Sequence, residues 1–178
     1  MRALKSLIVP ALFGLALLTI AIVTRSGKFA RENPGAPISS AMREAMNMMT
    51  LAPHDQAVVS QRFPNHEITN TGLRYVVTAP GDGMTFPERN QTIAVHYRGT
   101  LLDGTPIDDS FRRGEPYSFQ VGQAKVIPGW DEALLTMSKG EKRTLIIPHW
   151  LGYGEKGVQG HIPPEATLIF EVELVDLL

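Results

Sequence analysis

Val121-Gly-Gln-Ala-Lys-Val-Ile-Pro-Gly-Trp-Asp-Glu-Ala-Leu-Leu-Thr-Met137 is the stretch whose reading decides the fold. Its second half, Gly129 to Met137, predicts one short helix, because Trp130, Ala133, Leu134 and Met137 fall three or four residues apart and share one face. Lys139-Gly140-Glu141 is the turn that ends it. On both sides the pattern becomes β. Gly72 to Thr78 is rich in β-branched and aromatic residues, and Pro80-Gly-Asp-Gly83 after it is a turn. Thr92 to Tyr97 predicts a second strand, and Leu102-Asp-Gly-Thr105 a hairpin-type turn, since Asp-Gly readily takes φ > 0. Tyr117 to Val121 alternates as a third strand, followed after the helix by Arg143 to Ile147 and Thr167 to Leu174. In the last of these, Phe170, Val172 and Leu174 alternate with Glu171 and Glu173, so one face is buried and the other wet. The expected fold is α+β, a mostly antiparallel twisted β-sheet wrapping one short α-helix over residues 64–178, preceded by an N-terminal apolar helix.

Composition narrows the chemistry. The chain has 178 residues, with 17 Lys+Arg against 18 Asp+Glu, a net charge of -1. That balance leaves no basic footprint for nucleic acid. There is no cysteine, which excludes disulfides, thiolate nucleophiles and Cys-based zinc sites. His54, His66, His96, His149 and His161 are scattered without metal-ligand spacing, so neither a metal nor a cofactor is expected.

Residues 1–24 read as targeting. Arg2 and Lys5 precede an uncharged apolar run from Leu7 to Val23, the pattern of a signal peptide or signal-anchor helix. As a helix the run measures about 25 Å at about 1.5 Å per residue, short of a bilayer core of about 30 Å unless Thr24 and a snorkelling Arg25 extend it. A cut after Ala21 would leave Ile22 and Val23 at an awkward new terminus, so an uncleaved anchor is the expectation and a secreted, cleaved form the alternative. Either places the C-terminal domain outside the cytoplasm. Residues 25–63 read as a linker. Arg31 to Pro37 is rich in Pro and Gly, and Met42, Ala45, Met46 and Met49 then mark a short amphipathic helix that Pro53 limits. This stripe packs on the domain, or it docks a partner.

The residues also carry a resemblance. Val95-His-Tyr-Arg-Gly-Thr-Leu-Leu-Asp-Gly-Thr105, Val121-Gly-Gln-Ala-Lys-Val-Ile-Pro-Gly-Trp-Asp-Glu-Ala-Leu134, Met137-Ser-Lys-Gly-Glu-Lys142, and Leu151-Gly-Tyr-Gly154 with Ile162-Pro-Pro-Glu-Ala-Thr-Leu-Ile-Phe-Glu-Val-Glu-Leu174 follow one another in this order. In order and spacing they resemble the motifs of the FK506-binding proteins, a family of peptidyl-prolyl cis-trans isomerases. Taken singly, Trp130, Ile127 and Phe170 would read as core; the collinear blocks reverse that.

The resemblance implies a pocket with Trp130 as its floor and with Tyr97, Tyr117, Val126, Ile127 and Phe170 as its walls. The Tyr153 hydroxyl and the Ile127 backbone N–H would donate to a substrate carbonyl. Ile162 would lie in an overhanging loop. Asp108 would sit near the carbonyl end, either structurally paired with Arg113 or polarising the twisted amide. Ile107 departs from the family, where Phe is usual, and Val158 and His161 depart in the overhanging loop. Substrates would be proline-containing polypeptides, and macrolides of the FK506 type would be ligands. The resemblance, which covers nothing before about residue 64, implies an isomerase; with the N-terminal segment holding it at a membrane, it would assist folding of exported proteins, and a weakly active or inactive proline-binding chaperone module is the alternative.

Overall fold

The structure, a computed structural model, describes residues 50–178. The expected N-terminal apolar helix, the Pro/Gly linker and the methionine stripe lie outside those residues. Among the described residues, no helix is long and apolar enough to cross a membrane.

The chain enters as helix α1 (Pro53–Arg62) and short strand β1 (Glu67–Ile68). Strands β2 (Arg74–Ala79), β3 (Thr92–Leu101) and β4 (Pro106–Asp109) follow, then a single turn of helix, α2 (Ser110–Arg113), and β5 (Tyr117–Gln120). Helix α3 (Pro128–Leu134), β6 (Lys142–Ile147), a 3₁₀ turn (His149–Leu151) and β7 (Leu168–Leu177) complete it. All strand pairs are antiparallel, in the order β1-β2-β6-β7-β3-β4. Strand β5 shares an edge of β3 with β4: Thr92–Val95 pair with β5, and Arg98–Thr100 pair with β4. The family-type α+β expectation therefore holds for the sheet and its wrapped helix.

Alternation along the strands sorts the core. Ile93, Val95 and Tyr97 of β3, Leu145 and Ile147 of β6, and Phe170, Val172 and Leu174 of β7 meet Trp130, Ala133, Leu134 and Met137 beneath the sheet. Helix α3 stops at Leu134, earlier than expected, but turn bonds from Thr136 N–H to Ala133 O and Met137 N–H to Leu134 O carry Met137 into the same core.

The opposite face of the sheet is covered by residues 51–63. Ile146 and Ile169 point away from α3 and are buried by Leu51 and by Val59 of α1. Pro53 starts α1 in its first turn, where its missing N–H costs nothing; the helix it is expected to limit lies outside the described residues. With Val59 the only buried residue of α1, its sequence shows no apolar stripe for a pattern reading to find. Polar contacts fix it. Thr167 Oγ1 donates to Asp55 Oδ2 at 2.7 Å, and Arg62 Nη1 to the carbonyl of Leu102 at 2.5 Å.

A buried ion pair ties the end of α3 to β6. Arg143 Nε donates to Glu141 Oε1 at 2.5 Å, while Arg143 Nη1 and Nη2 donate to Thr136 Oγ1 and O at 2.9 Å. Glu141 Oε2 accepts from Ser138 N–H and Oγ–H at 2.9 and 3.1 Å. Burial pushes the Glu141 carboxyl up, but the Ser138 N–H and the Arg143 guanidinium outweigh it and hold the group below its ordinary value. A depressed folded pKa contributes stability above the unfolded value of about 4.3, and that stability is lost as pH falls through the folded value. Urea midpoints should therefore drop on acidification below about pH 4. Glu141→Gln, which leaves Arg143 buried and unpaired, should cost about 3–5 kcal/mol at pH 7 and flatten that acid loss.

Candidate active site

The site begins with the break on the edge of β3. Between the stretches paired to β5 and β4, Tyr97 has no strand beside it. The Ser110 hydroxyl takes the missing strand's place: it accepts from Tyr97 N–H at 2.8 Å and donates to Tyr97 O at 3.2 Å. Ser110 is fully buried, so both backbone groups of Tyr97 are satisfied where the sheet opens. Ser110 is held at the start of α2 by Asp109, whose Oδ1 accepts from Phe111 N–H at 2.9 Å and from Arg112 N–H at 3.3 Å.

Aromatic rings converge beneath this opening. Tyr97 and Phe170 stand nearly perpendicular to the Trp130 indole, at 77° and 84°, with centroids 4.8 and 5.2 Å away. They are walls rising from a floor. Tyr117 meets Tyr97 edge-on at 6.4 Å and stacks on Phe119 at 5.3 Å. Phe170 reaches its place because Gly99, its register partner, has no side chain; a Cβ there would run into the Phe170 ring. The indole N–H of Trp130 is buried without an acceptor, an unmet donor that costs about 1–3 kcal/mol.

Tyr97, Ile107, Asp108, Tyr117, Val126, Ile127, Trp130, Tyr153 and Phe170 line one cavity of about 530 Å³, together with Arg113 and Lys125. Ile162 is buried in the same core cluster as Tyr97, Trp130 and Phe170. It also lines a neighbouring hollow with Leu101, Lys156 and residues 158–164, where the Val158–Ile162 bridge folds the loop on itself. Ile107 enters the cavity as the extra residue of a β-bulge: Asp108 pairs with Gly99 and Pro106 with Thr100, leaving Ile107 unmatched.

Charge at the rim is held in a closed network. The Tyr97 hydroxyl donates to Asp108 Oδ2, Arg113 Nη1 to Asp108 Oδ1 at 2.5 Å, and Arg113 Nη2 to the Tyr97 oxygen at 2.8 Å. Asp109 N–H also donates to Asp108 Oδ1 at 2.7 Å. Partial burial pushes the Asp108 carboxyl up, but Tyr97, Asp109 N–H and Arg113 outweigh it and hold it below the ordinary carboxylate range. Burial, then the Asp108 charge, raises Tyr153, so its hydroxyl stays protonated as a donor. That hydroxyl makes no hydrogen bond among the described residues, and neither does the Ile127 N–H at the entry of α3.

Two supports were not visible as motifs. Asp131, in the first turn of α3, accepts from Gly122 N–H and Ala124 N–H, both at 2.8 Å, and so pins the loop that carries Lys125, Val126 and Ile127. Trp150 donates from its indole to Thr71 O at 2.9 Å, fixing the 3₁₀ turn ahead of Tyr153. An Asp at the fourth position of a helix after a Gly-containing loop is the signal that could have revealed the first.

A family model described as FKBP-type peptidyl-prolyl cis-trans isomerase matches residues 83–175. The chain belongs to this family. It is 46% identical over 104 residues to peptidyl-prolyl cis-trans isomerase Fkbp12 of Drosophila melanogaster, a match covering 58% of this chain and 96% of that protein. It is 49% identical over 109 residues to the FKBP-type peptidyl-prolyl cis-trans isomerase FkpA of Escherichia coli (strain K12), covering 61% of this chain and 39% of that protein. Among solved structures, the crystal structure of AtFKBP13 superposes with a TM-score of 0.61 at 34% identity, covering 64% of this chain and 99% of that one. The domain is a peptidyl-prolyl cis-trans isomerase.

Ser110→Ala should test the edge repair. Removing the hydroxyl strands the buried N–H and C=O of Tyr97, so unfolding should become easier by about 2 kcal/mol in urea titrations. The apparent affinity for proline peptides should fall with it, as Tyr97 loses its fixed position.

Proposed function

We propose that the cavity over Trp130 is where this isomerase turns Xaa-Pro bonds, with Trp130 under the proline ring and Ile127 N–H and Tyr153 hydroxyl as donors to the substrate. What carries the reading is a pair of open donors on the same apolar aromatic cavity. Tyr97, Tyr117, Val126 and Phe170 enclose the ring, and the Ile107 bulge forms the remaining wall.

The chemistry needs no nucleophile. Amide resonance sets a barrier of about 20 kcal/mol, and rotation breaks that resonance. The twisted amide has less charge separation than the planar one. An apolar pocket therefore favours the twisted form, where water would favour the planar. Donors that grip the carbonyl while the floor grips the ring hold the two halves at an angle, so the site binds the transition state better than the ground state. A rate gain of about a million corresponds to about 8 kcal/mol. Asp108 is ionised and fully engaged by Tyr97, Arg113 and Asp109 N–H, so its role is to fix Tyr97 and set the field at the rim, not to move a proton. Macrolides of the FK506 type fit the same reading as ligands that occupy the ring site.

The setting rests on sequence alone. The basic n-region and the apolar run from Leu7 to Val23 support a membrane-held chain whose isomerase domain lies outside the cytoplasm and acts on exported polypeptides. Mass spectrometry of the mature N-terminus checks this: a start at Ile22 means a secreted form.

In an isomerisation assay on an Xaa-Pro peptide, Trp130→Leu should lower kcat/KM about tenfold per folded molecule, a loss larger than the fall in the urea midpoint from the truncated core side chain accounts for. Tyr153→Phe should lower kcat/KM severalfold. Full activity in both variants would place the chemistry elsewhere.

A further inference from the structure

The walls of the isomerase cavity carry an uneven charge. On one side Lys125 lines the cavity, with its Nζ donating only to the neutral Gln120 Oε1 at 2.6 Å. On the other, the Ile107 bulge separates the cavity from a second hollow of about 570 Å³ that shares Ile107, Asp108 and Arg113 and adds Arg98, Arg112 and Asp109. Both carboxylates of this joint groove are already engaged: Asp108 by Arg113 at 2.5 Å, and Asp109 by Arg98 at 3.2 Å. Arg98 also reaches Glu171 at 3.6 Å. Among the described residues Arg112 and Lys125 take part in no ion pair, and the nearby Asp103 and Glu115 line neither hollow.

A proline seated on Trp130 leaves its chain running out of the cavity in both directions. Successive Cα atoms lie about 3.8 Å apart, so the residues next to the proline are the ones that pass these walls. A carboxylate there would meet unpaired cations, while a lysine or arginine would meet charges of its own sign.

We propose that this isomerase favours prolines flanked by acidic residues, with Lys125 and Arg112 as its specificity-determining cations. The inference rests on the Trp130 cavity being the reaction site. Both cations are exposed, so the preference is modest: a pair of this kind corresponds to about two- to fivefold in kcat/KM. It is also screened by salt, since raising ionic strength from about 0.01 M to about 1 M shortens the reach of a charge from about 30 Å to about 3 Å.

The test uses N-acetylated, C-amidated proline peptides in pairs that differ only by Glu for Gln, at each of the two positions on either side of the proline. Exchange NMR reads isomerisation without a coupled protease. The wild-type Glu/Gln ratio of kcat/KM should exceed about two at one or more positions and approach one in high salt. It should collapse toward one in Lys125→Gln or Arg112→Gln and invert when both are changed to Glu. Because each ratio is taken within one protein sample, a loss of folded enzyme cancels. A ratio near one at every position in low salt, or one that survives both charge reversals, overturns the proposal. If the Gln peptides are still turned over and depend on Trp130, that failure leaves the site itself standing; if turnover does not depend on Trp130, the site reading falls first.

Discussion

The site depends on how closely α3 can approach the sheet. A Cβ on Gly129 would sit 2.8 Å from Cγ2 of Ile147 on β6, so only glycine lets the helix lie this close. Pro128 and Gly129 occupy the first turn, where neither the missing N–H nor the missing side chain weakens the helix much. Trp130 follows at once and is carried under the opening in β3, within contact of Tyr97 and Phe170. The same approach presents the Ile127 N–H at the cavity wall. One contact with no side chain on one side of it thus sets floor, wall and donor together.

Around that contact the protein tolerates local costs that a purely stable fold would avoid. Trp130 keeps an unmet indole N–H, the β4/β5 edge of β3 is open at Tyr97, and β4 carries a bulge at Ile107. Each has a nearby compensation or use. The Ser110 hydroxyl replaces the absent strand, the bulge turns an aliphatic wall inward, and the Asp108–Arg113–Tyr97 network holds the rim. Stability comes instead from the far end of α3, where Glu141 and Arg143 are buried together, and from the outer face of the sheet under α1.

Much of this was legible in the residues. Apolar spacing revealed α3, alternation revealed β7, and the collinear motifs named the residues that line the cavity. What stayed hidden follows from physics that leaves little pattern. Helix α1 is held by one buried valine and by polar contacts to Thr167 and Leu102, so it shows no stripe. The two-residue β1 is too short for alternation to be read, and the bulge at Ile107 interrupts β4. Ser110 matters through two bonds to a backbone distant in sequence, and Lys125 through the lack of a carboxylate beside it; neither is a property of its neighbours along the chain.

The place of β7 carries a last consequence. It lies in the middle of the sheet, between β6 and β3, although it is the final strand. One whole edge of β3 and one of β6 is unpaired until residues 168–177 are present. Without them the core also lacks Leu168, Phe170, Val172 and Leu174. Such non-local closure is slow compared with helical folding. The isomerase domain therefore gains its central pairings only when strands far apart in sequence meet.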